Sequence, residues 1–139
     1  MVNQSAATEH GGAHCLGVDT HNTSPTSGDT FDTKGWSEVL VVTCIDSITT
    51  GDLTIRIQSS ADGSSSWVSH YDGVIDVGAT VPRSEFVVVR VQDITHRYMR
   101  AQFRQSSGAW VGGAAYIGIN AIGSRPTNAQ DWLLDSASA

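Results

Sequence analysis

The run "DLTIRIQ" alternates without a break: Leu53, Ile55 and Ile57 fall on one side of an extended chain, Thr54, Arg56 and Gln58 on the other. Successive side chains of a strand point to opposite faces, so a period of two means a strand with one buried face. The same reading holds elsewhere. "SEFVVVRVQ" sets Val87, Val89 and Val91 against Phe86, Val88, Arg90 and Gln92. "RYMRAQFRQ" sets Met99, Ala101 and Phe103 inward and Tyr98, Arg100, Gln102 and Arg104 outward. "WVGGAAYIGINA" gathers Val111, Ala115, Ile117 and Ile119 on one face and mainly small residues on the other. "WSEVLVVTCI" is apolar at consecutive positions, as expected of a strand covered on both sides.

Turn chemistry separates these runs. "AHCLGVD", "SWVSHYD" and "GVIDVG" are shorter extended candidates, and "THNTSPTSGDTFDTKG" reads as loop. In "QSSADGSSSWVSHYDG" the Asp62-Gly63 pair marks a hairpin-like tip, because glycine tolerates positive φ. Trp67 then opens the next strand and is expected to add area to the core. About eight short strands without a helical pattern predict an all-β, antiparallel β-sandwich or barrel. Residues 1–12 read as a flexible arm, 13–125 as the sandwich, and 126–139 as a tail beyond Pro126. That tail carries an isolated apolar triplet, Trp132-Leu133-Leu134, suited to folding back on its own domain or to anchoring on a neighbour.

Charge and composition exclude several roles. Fourteen acids against eight bases give a net charge of -6, which argues against nucleic acid as a partner. No apolar stretch approaches the length needed to span a membrane, and the N-terminus lacks a signal-peptide layout, which implies cytoplasmic synthesis. Two cysteines, Cys15 and Cys44, are too few for a disulfide scaffold, and Cys44 reads as a small buried hydrophobe.

The search for chemistry predicts no enzyme. His10, His14, Cys15 and His21 cluster, but their spacing matches no zinc motif and reads as solvated histidines beside a packed cysteine. Asp72 and Asp76 read as turn residues rather than paired acids, and no G-x-S-x-G presents a nucleophile. No catalytic residue, metal site or cofactor is expected. The outward face of "RYMRAQFRQ" is more informative. Tyr98, Arg100 and Arg104 share one side of a strand, and Arg56 and Arg90 lie on polar sides of others. Such a face suits a docking surface, or cross-strand pairing with acids. Arg97 falls at a strand end, placed to cap carbonyls or pair with an acid.

Taken in order, "FDTKGWSEVLVVT", "LTIRIQSSADGSSSW", "THRYMRAQF", a small-residue final strand and an "SRP" exit resemble the head decoration, or cement, proteins of tailed bacteriophages and prophages. The likeness covers residues 31–126 and rests on Asp32 through Trp36, Gln58 through Trp67 and Arg97 through Ala101. His14-Cys15 and the Pro25 loop match nothing in that pattern. The resemblance implies a jelly-roll sandwich that binds the exterior of the capsid in the virion, often as a homotrimer. Its partners would be the major capsid protein and further copies of itself. On that reading Tyr98, Arg100, Arg104, Arg56, Arg90, Trp132, Leu133 and Leu134 are candidate contacts. Two alternatives remain. One is a carbohydrate-binding sandwich whose glycan platform would use Trp110, Tyr116, Tyr71 and Trp67; the other is a tail or baseplate component.

Overall fold

The computed structural model describes residues 9–76, 85–92 and 94–120, and every regular element among them is a strand. These are β1 (Glu9–His21), β2 (Thr26–Ser27), β3 (Phe31–Asp32), β4 (Glu38–Ser60), β5 (Val68–Asp76), β6 (Glu85–Gln92) and β7 (Tyr98–Asn120). All pairings are antiparallel.

The frame is one long ribbon. β4 and β7, 23 residues each, stay paired from Glu38↔Ile119 to Ser60↔Tyr98. Their register shifts between Ile45 and Ser47, Ile48 and Thr50, and Thr50 and Leu53. Unpaired extra residues bend a strand, and here they turn the ribbon through a corner. Gly51 (φ 77) and Gly108 (φ 72) supply the left-handed backbone that the corner needs.

On one side of the corner, β4 residues 38–45 carry β6 and β7 residues 110–120 carry β1. On the other side, β4 residues 52–59 carry β5 and β7 residues 98–103 carry β2 and β3. The first layer therefore runs β6-β4-β7-β1 and the second runs β5-β4-β7 with β2 and β3 at the far edge. A folded-over antiparallel ribbon of this kind is the jelly-roll arrangement. If each half of β4 and β7 is counted as a strand and β2 with β3 as one, the total is the eight expected.

The core lies between the layers. Val39, Val41, Ile45, Trp110 and Tyr116 face Leu53, Ile55, Ile57, Met99, Ala101 and Phe103, all buried. The Tyr116 hydroxyl ties the two layers together: it accepts from the Ala101 amide at 2.9 Å and donates to the Asp29 carbonyl at 2.7 Å. Cys15 packs beside it, and burial pushes that thiol up to about 12.

Several expectations are corrected. β1 begins at Glu9, inside the segment read as a flexible arm, because Glu9 to Gly12 pair with Asn120 to Ile117. The two extended candidates "SWVSHYD" and "GVIDVG" are joined by one strand, β5, from Val68 to Asp76, and Asp72 lies within it rather than in a turn. In "WVGGAAYIGINA", where the alternation leaves the inward side open, the small face with Trp110 and Tyr116 is the core face, and the Trp36 ring lies where a Gly118 side chain would stand. Ile117 and Ile119 consequently point outward. Residues 126–139 lie outside the described residues.

Candidate functional site

The two layers turn very different outer faces to their surroundings. On the second layer, polar residues of adjacent strands meet in rows. Arg56 grips Asp72 with two hydrogen bonds, at 2.7 and 3.2 Å, across β4 and β5. On its other side Arg56 stands opposite Gln102, whose amide donates to Ser27 at 3.3 Å. One row thus crosses the whole layer. In the next row Arg100 donates to Gln58 at 2.8 Å, and Gln58 donates to Ser69 at 3.3 Å. The indole of Trp67 covers the Arg100 guanidinium at 4.2 Å, an attractive cation–π contact. Burial draws Arg100 below the ordinary arginine range, and the guanidinium beside Asp72 holds that carboxyl below its ordinary range.

Trp67 is therefore half-buried on the outer surface, where the core was expected to take it. The turn before it explains why. Asp62 Oδ1 accepts from the Ser64 and Ser65 amides, both at 2.9 Å, and Asp62 Oδ2 accepts from the Ser65 hydroxyl at 2.6 Å. These bonds hold the carboxyl well below its usual range. Gly63 takes the positive φ (77) that the turn chemistry predicts, and it closes on the ring of Tyr98. The loop lies over the face and lays Trp67 on Arg100. Arg97 pairs with Asp32 at 2.8 Å and flanks Tyr98 at 5.2 Å from its ring centre. Arg104 has no partner among the described residues. It borders a cleft of about 560 Å³ with Thr23, Thr54, Arg56, Asp72 and Ser106.

The first layer's outer face is apolar at its centre, with the His14–Asp29 pair on its β1 side and the Arg90–Glu38 pair at its rim. Cross-strand register lines up Phe86, Cys44 and Gly113, then Val88, Val42 and Ala115, then Arg90, Leu40 and Ile117. Val18 bulges over Gly113. Cys44 is exposed, a correction to its reading as buried: the alternation that sends Val41 and Thr43 inward turns Cys44 out. Arg90 belongs to this layer and pairs with Glu38, at 2.9 Å between Nη2 and Oε2, so it does not join the arginines of the second layer.

A third cluster was invisible in the sequence because its members are far apart. The Ser59 hydroxyl lies 2.5 Å from His70 Nε2 and 2.7 Å from His96 Nδ1. It links β4, β5 and the segment before β7. Ser59 is 2% exposed, and the two rings meet no carboxylate among the described residues. Beside it a groove of about 480 Å³ opens between β5 and β6, floored by Ile55, Ile57, Val87, Val89 and Val91.

The glycan platform is not assembled. Trp110 and Tyr116 are 1% and 0% exposed, and Tyr71 alone is open, at the rim of the β5–β6 groove. Trp110 is buried because it packs on Phe103 at 5.5 Å and under His21 at 4.6 Å. His14 pairs with Asp29 at 2.8 Å and His21 meets the Gly112 carbonyl at 3.0 Å, so these two histidines diverge. Trp132, Leu133 and Leu134 lie outside the described residues.

Comparison with known proteins bears on the fold. No family model matches the chain, and no curated protein matches it. Among solved structures, the crystal structure of PBSX exported protein XepA superposes with a TM-score of 0.54 at 16% sequence identity. The match covers 95% of this chain and 43% of that one, so this chain spans less than half the length of that structural neighbour and shares the fold of its matched part.

Proposed function

We propose that this chain is a non-enzymatic structural protein of a tailed phage that binds the outside of the capsid and stabilises it. The reading takes the major capsid protein as its partner and a homotrimer as its working form. The observation that carries it is the ordered arginine–aromatic face of the second layer. Trp67 lies on Arg100, Gly63 of the Asp62 turn closes on Tyr98, and Arg104, further along the same side of β7, is unpaired among the described residues. Side chains already fixed lose little entropy on docking, and arginine with large aromatics is the usual composition of interface anchors. The two-layer body bent around one continuous ribbon supports the same reading, since a clamp needs stiffness. The phage origin of the structural neighbour supports it further, and repetition over a symmetric lattice would add many modest contacts into firm attachment.

The test is saturable binding of the purified chain to undecorated capsids of the phage that encodes it, read by co-sedimentation. Arg104→Glu should weaken that binding at least tenfold while the melting temperature stays unchanged, about 1.4 kcal/mol lost at the interface alone. Binding indifferent to Arg104→Glu, or no binding at any concentration, would remove the reading.

A further inference from the structure

Five arginines lie among the described residues, and four of them are built in with an acceptor. Arg56 holds Asp72, Arg90 holds Glu38, Arg97 holds Asp32, and Arg100 holds the Gln58 side-chain carbonyl. Arg104 breaks the pattern, with no acceptor among the described residues. Cross-strand register shows the reason. Arg56 meets its carboxylate directly opposite on β5, whereas the residue opposite Arg104 on β4 is Thr54. A guanidinium stays charged and carries its donors in a fixed fork, so this position is suited to an anion from outside the chain.

The surroundings of Arg104 supply further donors. Its cleft of about 560 Å³ is walled by Thr23, Thr54, Ser106 and the Arg56–Asp72 pair. The Asp52 amide donates to Ser106 Oγ at 2.8 Å, which uses that oxygen as an acceptor and leaves the hydroxyl proton to be given away. The Thr54 hydroxyl is uncommitted among the described residues. Arg56 stands diagonally across from Arg104, about 7 Å away at the Cβ atoms, a gap that two long side chains can close on one ligand. It spends Nε and Nη2 on Asp72 and keeps Nη1.

Charge sets the class of ligand. Arg56 and Asp72 cancel, so the cleft carries the single positive charge of Arg104, which one carboxylate matches and a doubly charged phosphate exceeds. Asp52 lies on the same side of β4 but is not part of the wall. No aromatic ring borders the cleft among the described residues, so a sugar acid finds no platform to stack on.

We propose that the cleft between Arg104, Arg56, Thr54 and Ser106 is a carboxylate site, filled on docking by an aspartate or glutamate side chain of the protein partner. The identity of the partner rests on the docking reading above; the carboxylate chemistry does not.

The site is tested on the full chain alone, by following the nitrogen NMR shift of Arg104 Nε while N-acetylglutamic acid α-amide is added at constant ionic strength. A saturable shift is expected at Arg104 and none at Arg97, which already holds Asp32. The neutral N-acetylglutamine amide should produce no shift. Thr54→Asp places a carboxylate opposite Arg104 within the chain and should abolish the response. A shift shared alike by all the arginines overturns the site. So does a response that survives Thr54→Asp, or one given by inorganic phosphate and not by the carboxylate.

The partner is tested by co-sedimentation with undecorated capsids. Thr54→Asp should weaken binding about tenfold, because an acid already seated in the cleft excludes the incoming one, while Thr54→Asn should bind as the parent does. Equal binding by the two variants overturns the partner carboxylate. A parent chain that answers to the glutamate amide but binds no capsid sinks the docking reading and leaves the carboxylate site standing.

Discussion

The outer faces of the two layers are built by the same two strands, yet they obey opposite rules. Before the corner β4 turns out Leu40, Val42 and Cys44; after it, Thr54, Arg56 and Gln58. Their inward partners are alike, with Val39, Val41 and Ile45 on one side and Leu53, Ile55 and Ile57 on the other. Inward residues therefore report only that a strand has a core. The outward residues report what the strand is built to face, and in this ribbon they change from apolar to polar within about ten residues. The polar face satisfies itself through cross-strand pairs, whereas the apolar face has nothing of its own to pair with.

A matched pair of substitutions exposes that difference most strongly. Val42→Asp puts a carboxylate between Val88 and Ala115 at a half-buried position and should cost about 2 kcal/mol in urea unfolding. Thr54→Asp puts the same group opposite Arg104 on the polar face and should change stability by less than about 0.5 kcal/mol. Equal costs at the two sites would mean that both faces are equally wet, and the contrast would collapse.

The next effect tests whether the polar face is held together by its rows. Arg100→Ala removes the support of Trp67 and the hydrogen bond to Gln58, which is 7% exposed beneath them. A loss of about 1–2 kcal/mol is expected, with a shift of Trp67 fluorescence toward that of an exposed indole. Arg100→Lys should restore little, because a point charge cannot reproduce a flat guanidinium under an indole. An alanine variant as stable as the parent would make Trp67 an adornment rather than a lock.

The parts of this contrast legible in the sequence are those set by local alternation. "DLTIRIQ", "RYMRAQFRQ" and "SEFVVVRVQ" place every inward residue correctly, and the Asp62-Gly63 tip folds as its residue types require. The corner was not legible. "SITTGDL" has the polar, glycine-containing chemistry of a chain reversal, and only its pairing with Trp110 to Gln105, more than fifty residues away, keeps it a bent strand. Trp67 misled for a related reason. In the sequence Trp67 and Trp110 both read as strand starts that favour burial, and nothing local says that Trp110 will lie under His21 in the core and Trp67 outside on Arg100. The arginine face was half visible: its side was readable, but Arg90 belongs to the other layer and Arg56 is held by Asp72. Ser59, His70 and His96 meet only through tertiary packing, so no spacing announced them.

The smallest effect concerns pH and separates the faces once more. Asp62, Asp72 and Asp32 belong to the second layer and its loops, and all three carboxyls sit below their ordinary range, held by hydroxyls and amides in the first case and by arginines in the others. A folded-state value below the unfolded one contributes stability that is complete above the unfolded carboxylate range, about pH 4, and that drains away as pH falls through the folded value. On the apolar face the Arg90 guanidinium at the rim holds the Glu38 carboxyl below its ordinary range. Acidification from pH 7 to pH 3 should therefore lower the urea midpoint of the parent, and Asp62→Asn should lessen that drop. Asparagine keeps an acceptor for the Ser64 and Ser65 amides but has no proton to take up. Because these groups are solvent-exposed the difference will be modest, yet its sign is fixed: the variant must lose less than the parent on the acid side. A variant that loses as much would show that the acid sensitivity resides outside the Asp62 turn, and the turn could no longer be credited with holding Trp67 over Arg100 through its carboxylate.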